Sequence, residues 1–133
     1  MNKREFKNTV YTELAKVAKA FANPVRLEII DLLAQGPFTV EQIANYSGQS
    51  VANASQHLQT LKSAKLVRIE RDGNFINYSL AGQNVFNAWA GLRELGFAYN
   101  AEVEKVIKDF RSGHSSDMDA VDAETLKELL KNG

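Results

Sequence analysis

One Asp-Gly pair constrains this chain more than any other feature. Asp72-Gly73 separates Val67-Arg68-Ile69-Glu70-Arg71 from Asn74-Phe75-Ile76-Asn77-Tyr78-Ser79-Leu80, two stretches rich in β-branched and aromatic residues. Asp-Gly between such stretches is a strong signal for a two-residue β-hairpin loop, whose tight geometry needs residues that tolerate positive φ. With Asp72-Gly73 as the loop, Ile69 lies opposite Ile76 and Val67 opposite Tyr78, all on one face. Arg68 and Asn77 then share the other face, and Arg71 and Asn74 flank the tip.

Everything else in the chain reads as helix. Phe6, Val10, Leu14, Val17 and Phe21 step by three and four, a helical stripe from Arg4 to Phe21. Asn23-Pro24 restarts the chain, with Asn a good N-cap and Pro pre-set for the first helical position. The second helix carries Leu27, Ile29, Ile30, Leu32 and Leu33, an apolar face too wide for a surface helix, so it belongs at the centre. Gln35-Gly36-Pro37 ends it, with Gly36 expected at a left-handed C-cap. Thr39 and Gln42 form a capping box for a short third helix, Ser47-Gly48-Gln49 makes a tight turn, and Ser50 caps a fourth helix to about Ala64.

The fourth helix has two unlike sides. Val51, Ala54, Leu58 and Leu61 cluster on one, while Ala52, Asn53, Gln56, Gln59, Thr60 and Ser63 cluster on the other. A merely solvated face usually carries Glu and Lys. A small, polar, uncharged face offers amides and hydroxyls, the groups that hydrogen-bond base edges and phosphates in a major groove.

After the hairpin, Val85, Trp89, Leu92, Gly96, Tyr99, Val103, Val106 and Phe110 alternate steps of four and three, a coiled-coil-like seam. The pattern predicts one helix from about Gln83 to Arg111, a rod of roughly 40 Å at 1.5 Å per residue. A domain this small cannot cover such a rod, so a second copy is expected to do so. The expected homodimer interface takes Val85, Trp89, Leu92, Tyr99, Val103, Val106 and Phe110 from this fifth helix, with Phe6 and Val10 from the first. Trp89, Phe97 and Tyr99 read first as core; the second reading is a small organic effector in the seam. Ser112 to Asp119 has the composition of a linker, and Asp122 can cap a short last helix from Ala123 to Lys131.

Composition narrows the function. The chain has 133 residues and no cysteine, which removes disulfides, thiolate metal sites and cysteine nucleophiles. No GxSxG, P-loop or HExxH occurs, so no enzymatic activity is expected. His114 with Asp117, Asp119 and Asp122 fits no standard metal loop, and no metal or other cofactor is expected. The charged N-terminus lacks an apolar signal core and no run is long enough to span a membrane, so a cytoplasmic protein without membrane partners is expected. The 16 basic and 16 acidic residues cancel, but unevenly. Residues 1–113 hold 14 basic and 11 acidic side chains, and residues 114–133 hold 2 and 5. Between Gln42 and Arg71 alone there are four basic residues and one acidic.

A capped helix, a glycine turn, a helix with a polar outer face and a hairpin together make a winged helix-turn-helix. On FANPVRLEIIDLLAQG (Phe21–Gly36), TVEQIANYSGQSVANASQHLQTLKSAKLV (Thr39–Val67) and RDGNFINYSL (Arg71–Leu80), the chain resembles the arsenic-repressor-like (ArsR/SmtB) transcriptional regulators over about Leu14 to Phe110. The resemblance implies a mainly α fold of five to six helices with a two-stranded wing, dimerising through the first and fifth helices. It also implies a repressor of an inverted-repeat DNA operator, released by a signal. The alternative is a dimeric winged-helix interaction module without DNA binding.

Carried onto this chain, the resemblance places DNA contacts on Ser50, Asn53, Ser55, Gln56, His57, Gln59 and Thr60. The helical wheel independently supports Asn53, Gln56, Gln59 and Thr60. Ser55 and His57 sit nearer the core side, where bonding within the domain and phosphate contact are equal readings for His57. Lys62, Lys65, Arg68, Arg71 and Asn74 complete the expected surface as phosphate and minor-groove contacts, against the alternative of a solvated basic surface. The family's thiolate sensors carry cysteines at the start of the third helix, where this chain has Phe38-Thr39-Val40-Glu41, so the effector is not implied. DAVDAETLKELLKNG (Asp119–Gly133) resembles the opening of a rhodanese-like domain, with a docking helix as the alternative. The expected organisation is a winged-helix domain over residues 1–111 followed by a linker and short helix over 112–133.

Overall fold

The computed structural model describes residues 1–113; the expected last helix and the His114, Asp117, Asp119 and Asp122 group lie outside them. Six helices and three short strands follow in the order α1 (Lys3–Phe21), α2 (Pro24–Leu33), β1 (Phe38–Thr39), α3 (Val40–Ser47), α4 (Val51–Ser63), β2 (Val67–Asp72), β3 (Phe75–Leu80), α5 (Gln83–Tyr99) and α6 (Ala101–Gly113). Their starts follow the local chemistry. The Asn23 side chain accepts from the Val25 and Arg26 amides with Pro24 at the first helical position, and Thr39 with Gln42 closes a capping box on α3. The Ser50 hydroxyl accepts from the Asn53 amide at 3.0 Å.

The core forms where α2, α3 and α4 meet, with Ile29, Ile30, Ile43, Leu58 and Leu61 fully buried. As its wide apolar face requires, α2 is central: it packs on α3, α4, α5 and β3. Gly48 takes the left-handed conformation, φ 67°, that turns the chain from α3 into α4. Gly36 is also at positive φ, but at 144° it lies outside the left-handed helical region, and Ala34 is the C-cap of α2. The expected C-cap at Gly36 is therefore corrected.

The hairpin is present with its register moved by two. Val67 pairs with Leu80, Ile69 with Tyr78, Arg71 with Ile76 and Asp72 with Phe75, so the loop is Gly73-Asn74 rather than Asp72-Gly73. Gly73 has φ 62° and Asn74 does not share a positive φ, the pattern of a turn with glycine at its first central position. A shift of two preserves which face each side chain takes, so Val67, Ile69 and Tyr78 still point at the core. Ile76 does not reach it: opposite Arg71 near the tip, it is exposed. A third strand, β1, pairs with β3 through Phe38↔Tyr78 and Thr39↔Asn77, extending the expected two-stranded wing to a three-stranded sheet. Two residues of strand leave no periodicity to read.

The long rod is two helices. Asn100 leaves helical geometry at φ −93°, ψ 107°, and its Oδ1 accepts from the Glu102 and Val103 amides at 2.9 and 3.1 Å. One asparagine thus ends α5 and caps α6, because its short amide competes with the helix for backbone donors. Ser112 and Gly113, expected in the linker, are the last residues of α6.

Candidate nucleic-acid interface

Local caps set the direction of α4, and packing of Ala54, Leu58 and Leu61 against the core sets its rotation. Gln56, Gln59 and Thr60 consequently face outward and are exposed, together with Ala52, Lys62 and Ser63. Thr60 Oγ1 donates back to the Gln56 carbonyl at 3.3 Å, leaving its lone pairs and both glutamine amides open. Val51, expected on the core side, is 46% exposed: as the first residue of α4 it lies ahead of the turn that meets α2 and α3.

Other expected contacts are already engaged. Asn53 is half-buried and its Nδ2 donates to Gln49 Oε1, which ties it to the turn before the helix. Ser50 spends its oxygen on the cap, keeping only its O–H for a phosphate. Ser55 is half-buried. The ring of His57 lies in the domain, with Nδ1 3.3 Å from Arg26 Nη1. Of the two readings of His57, bonding within the domain is the one the structure contains. Arg26 also donates through Nε to the Ala20 carbonyl at 2.7 Å and through Nη2 to the Lys19 carbonyl at 3.2 Å. It thereby closes the C-terminus of α1 and joins α1, α2 and α4. Nothing in the spacing of Arg26 announces this, since its partners come from other elements.

Lys62 and Lys65 are exposed beside the C-terminus of α4. Lys65 has φ 62°, so a non-glycine residue holds the left-handed conformation there. On the wing, Arg68 Nη2 meets Glu70 Oε1 at 3.1 Å, and Ser79 Oγ donates to the same carboxylate oxygen at 3.3 Å. Arg68 therefore carries its own counter-charge. Arg71 and Asn74 are exposed near the tip, and Arg71 has no ion pair among the described residues.

The expected dimer residues divide. Phe6, Val10, Leu92, Tyr99, Val106 and Phe110 are exposed, as are Tyr11, Leu14 and Val17 on α1. Ala20 is the only buried residue of α1, so most of that helix's apolar stripe is left exposed among the described residues. Val85 is a correction: at 6% exposure it belongs to the protomer's core. Trp89 packs on the same core and donates its indole N–H to Asp31 Oδ1 at 2.8 Å, while half-buried Val103 lines a pocket beside Pro24 and Leu27. The heptad steps hid this because the turn of α5 nearest α2 must fill the domain's interior before any seam can form.

A glycine-turned helix pair with an exposed polar face, flanked by a three-stranded sheet with an exposed arginine near its tip, defines a winged helix-turn-helix protein. Residues 23–68 match the family described as bacterial regulatory protein, arsR family. The chain is 42% identical over 64 residues to the transcriptional repressor SdpR of Bacillus subtilis, covering 48% of this chain and 71% of that one. It is 37% identical over 125 residues to the HTH-type transcriptional regulator Rv0324 of Mycobacterium tuberculosis, covering 94% of this chain but 53% of that protein. Among solved structures, it resembles the homodimeric winged helix-turn-helix DNA-binding domain (fragment 1–100) of a possible ArsR-family transcriptional regulator from Mycobacterium bovis. That match has a TM-score of 0.69 and 37% identity, and covers 77% of this chain and 93% of that one. The chain belongs to the arsR family of bacterial transcriptional regulators. None of its described helices is long and apolar enough to cross a membrane.

Proposed function

We propose that this chain is the DNA-binding and dimerising part of a transcriptional repressor. In this reading α4 enters the major groove of an inverted-repeat operator and the wing tip reaches the neighbouring minor groove. The observation that carries it is the exposed, uncharged Gln56, Gln59 and Thr60 face of α4, together with exposed Lys62 and Lys65 at its C-terminus and exposed Arg71 on the wing. Gln56 is placed to read adenine through paired donor and acceptor, and the basic residues to hold phosphates. Asn74 completes the wing tip, Ser50 and Asn53 the approach to the groove, and Ser55, His57 and Arg68 the periphery.

The exposed apolar stripe of α1 and the exposed Leu92, Tyr99, Val106 and Phe110 support a homodimer through α1, α5 and α6. Two copies related by a two-fold axis would present two α4 helices to two half-sites one helical turn apart. The likeness to a repressor and to a homodimeric DNA-binding domain favours this over an interaction module without DNA binding.

A mobility-shift titration with the chain's own promoter DNA tests the reading. Binding should resist a large excess of unrelated DNA and should weaken steeply as salt rises, because each phosphate contact releases counterions. Binding that unrelated DNA competes away completely would leave the interaction module as the better reading.

A further inference from the structure

A pocket of about 500 Å³ lies between α2, α5 and the start of α6. That volume is in the range of sites for small organic ligands. Its wall is mostly apolar and aromatic, from Leu27, Leu32, Trp89, Phe97 and Val103, with Tyr46 of α3 joining them. Three charged residues share the lining: Glu28, Asp31 and Arg93. Two carboxylates against one guanidinium leave negative charge in excess.

The three are not equally available. Arg93 is 6% exposed with its nitrogens shielded from water, and its Nη1 pairs with Asp31 Oδ1 at 3.5 Å. Its guanidinium also lies against the Phe86 and Trp89 rings, 5.9 and 5.5 Å from their centroids. Asp31 Oδ1 accepts the Trp89 indole N–H as well, which leaves Oδ2 without a hydrogen bond among the described residues. Oδ2 is not sealed from solvent, and because Asp31 is otherwise buried, that oxygen is reached from the pocket. Glu28, one turn earlier on α2, is exposed and has no ion pair among the described residues. Burial raises both carboxyls above their ordinary range, and Asp31 raises Glu28 further, as befits negative charge short of a partner. Open carboxylate oxygens beside aromatic walls suit one chemical class best: an ammonium on an apolar body. Its N–H groups donate to the carboxylates, and ring faces attract its charge.

We propose that this pocket binds a small apolar amine in its protonated form, with the ammonium on Asp31 Oδ2 and the Glu28 carboxylate and the body against Trp89 and Phe97. Arg93 keeps its place on Asp31 Oδ1, so binding leaves the buried pair intact. The ligand supplies the positive charge that this stretch of α2 lacks. Tyr46 belongs to the helix-turn-helix, and Val103 to the helix that exposes Val106 and Phe110. A bound amine therefore joins the DNA-reading unit to the proposed dimer face, which makes it an effector. The effector role rests on the regulator reading above; binding itself does not.

Trp89 is the only tryptophan in the chain, so its emission reports from this pocket. The full chain is titrated near neutral pH with phenethylamine. Phenethyl alcohol is the neutral match, and ammonium chloride supplies the charge without the body. The expected result is a saturable change in Trp89 emission with the amine, at least about tenfold weaker affinity for the alcohol, and no saturable change with ammonium chloride. Glu28→Gln, a change on an exposed side chain, should weaken the amine about three- to tenfold and leave the alcohol unaffected. Leu27→Phe narrows the pocket, keeps both carboxylates, and should weaken amine and alcohol alike. No saturable response to the amine up to ~10 mM, equal affinity for the alcohol, or amine binding unchanged in either variant overturns the site. In mobility shifts, an amine that binds yet leaves operator affinity unchanged overturns the effector role alone. Failure of the regulator reading looks different, because operator binding would then be absent without any amine.

Discussion

The Trp89 indole N–H donates to Asp31 Oδ1 at 2.8 Å, across 58 positions of sequence. This bond fastens the start of α5 to the central helix α2. It also supplies the buried Asp31 carboxylate with a donor, which Arg93 at 3.5 Å supplements with charge. A buried acceptor left without its donor is expensive in free energy.

Trp89→Phe keeps most of the ring packing and removes the donor. It should destabilise the fold by about 1–3 kcal/mol, read as a lower urea midpoint with an unchanged slope.

Burial raises the Asp31 carboxyl above its ordinary range, against the lowering effects of the Trp89 hydrogen bond and the Arg93 charge. Glu28 is raised too, by burial and by the nearby Asp31. In the window between the unfolded and the raised native values, the native state holds more protons than the unfolded chain. Stability from these groups is therefore undiminished below the unfolded value and falls as pH rises through the native one. Asp31→Asn should flatten that decline, measured by urea unfolding at several values from about pH 4 to 7.

Gln56→Ala and Arg71→Ala should fail in different ways. Gln56→Ala should cost about 1–3 kcal/mol of operator binding and relax the preference at one base position. Arg71→Ala should weaken binding across sequences and lower the slope of affinity against salt by about one. Mobility shifts on operator and mutated operator at several salt concentrations separate the two. Unchanged binding in both variants would sink the proposed interface.

Lys65→Gly separates backbone strain from charge. A non-glycine residue in the left-handed region costs roughly 1–2 kcal/mol, part of which glycine returns through greater freedom of the unfolded chain. The melting temperature should hold or rise while DNA affinity falls. A clear drop in melting temperature would show that the Lys65 side chain supports the fold.

The helix starts were legible because capping is local chemistry: Asn23, Thr39 and Ser50 each satisfy amides two or three residues away. The outward face of α4 was legible because Ala54, Leu58 and Leu61 define its inner one. Interactions between distant elements were not. Arg26 with His57, and Asp31 with Trp89 and Arg93, join residues whose spacing in sequence carries no period. The break at Asn100 was hidden by an apolar pattern that continues across it, although asparagine's taste for capping was the available signal.

By itself, the sequence determined a winged helix-turn-helix whose second helix has a polar outer face, a hairpin turning at Gly73, and apolar faces on its outer helices. It could do so because caps, turns and amphipathic periods act within a few residues. Only the tertiary structure decided the two-residue change of hairpin register, since that shift leaves every side chain on its face and Ile69 packs as well across from Tyr78 as from Ile76. It also decided that Val85 fills the protomer rather than a seam, and that Arg93 lies buried beside Asp31 with no hydrogen bond among the described residues. Burial is a property of what surrounds a residue, and for these residues part of the surroundings comes from α2, more than fifty positions away.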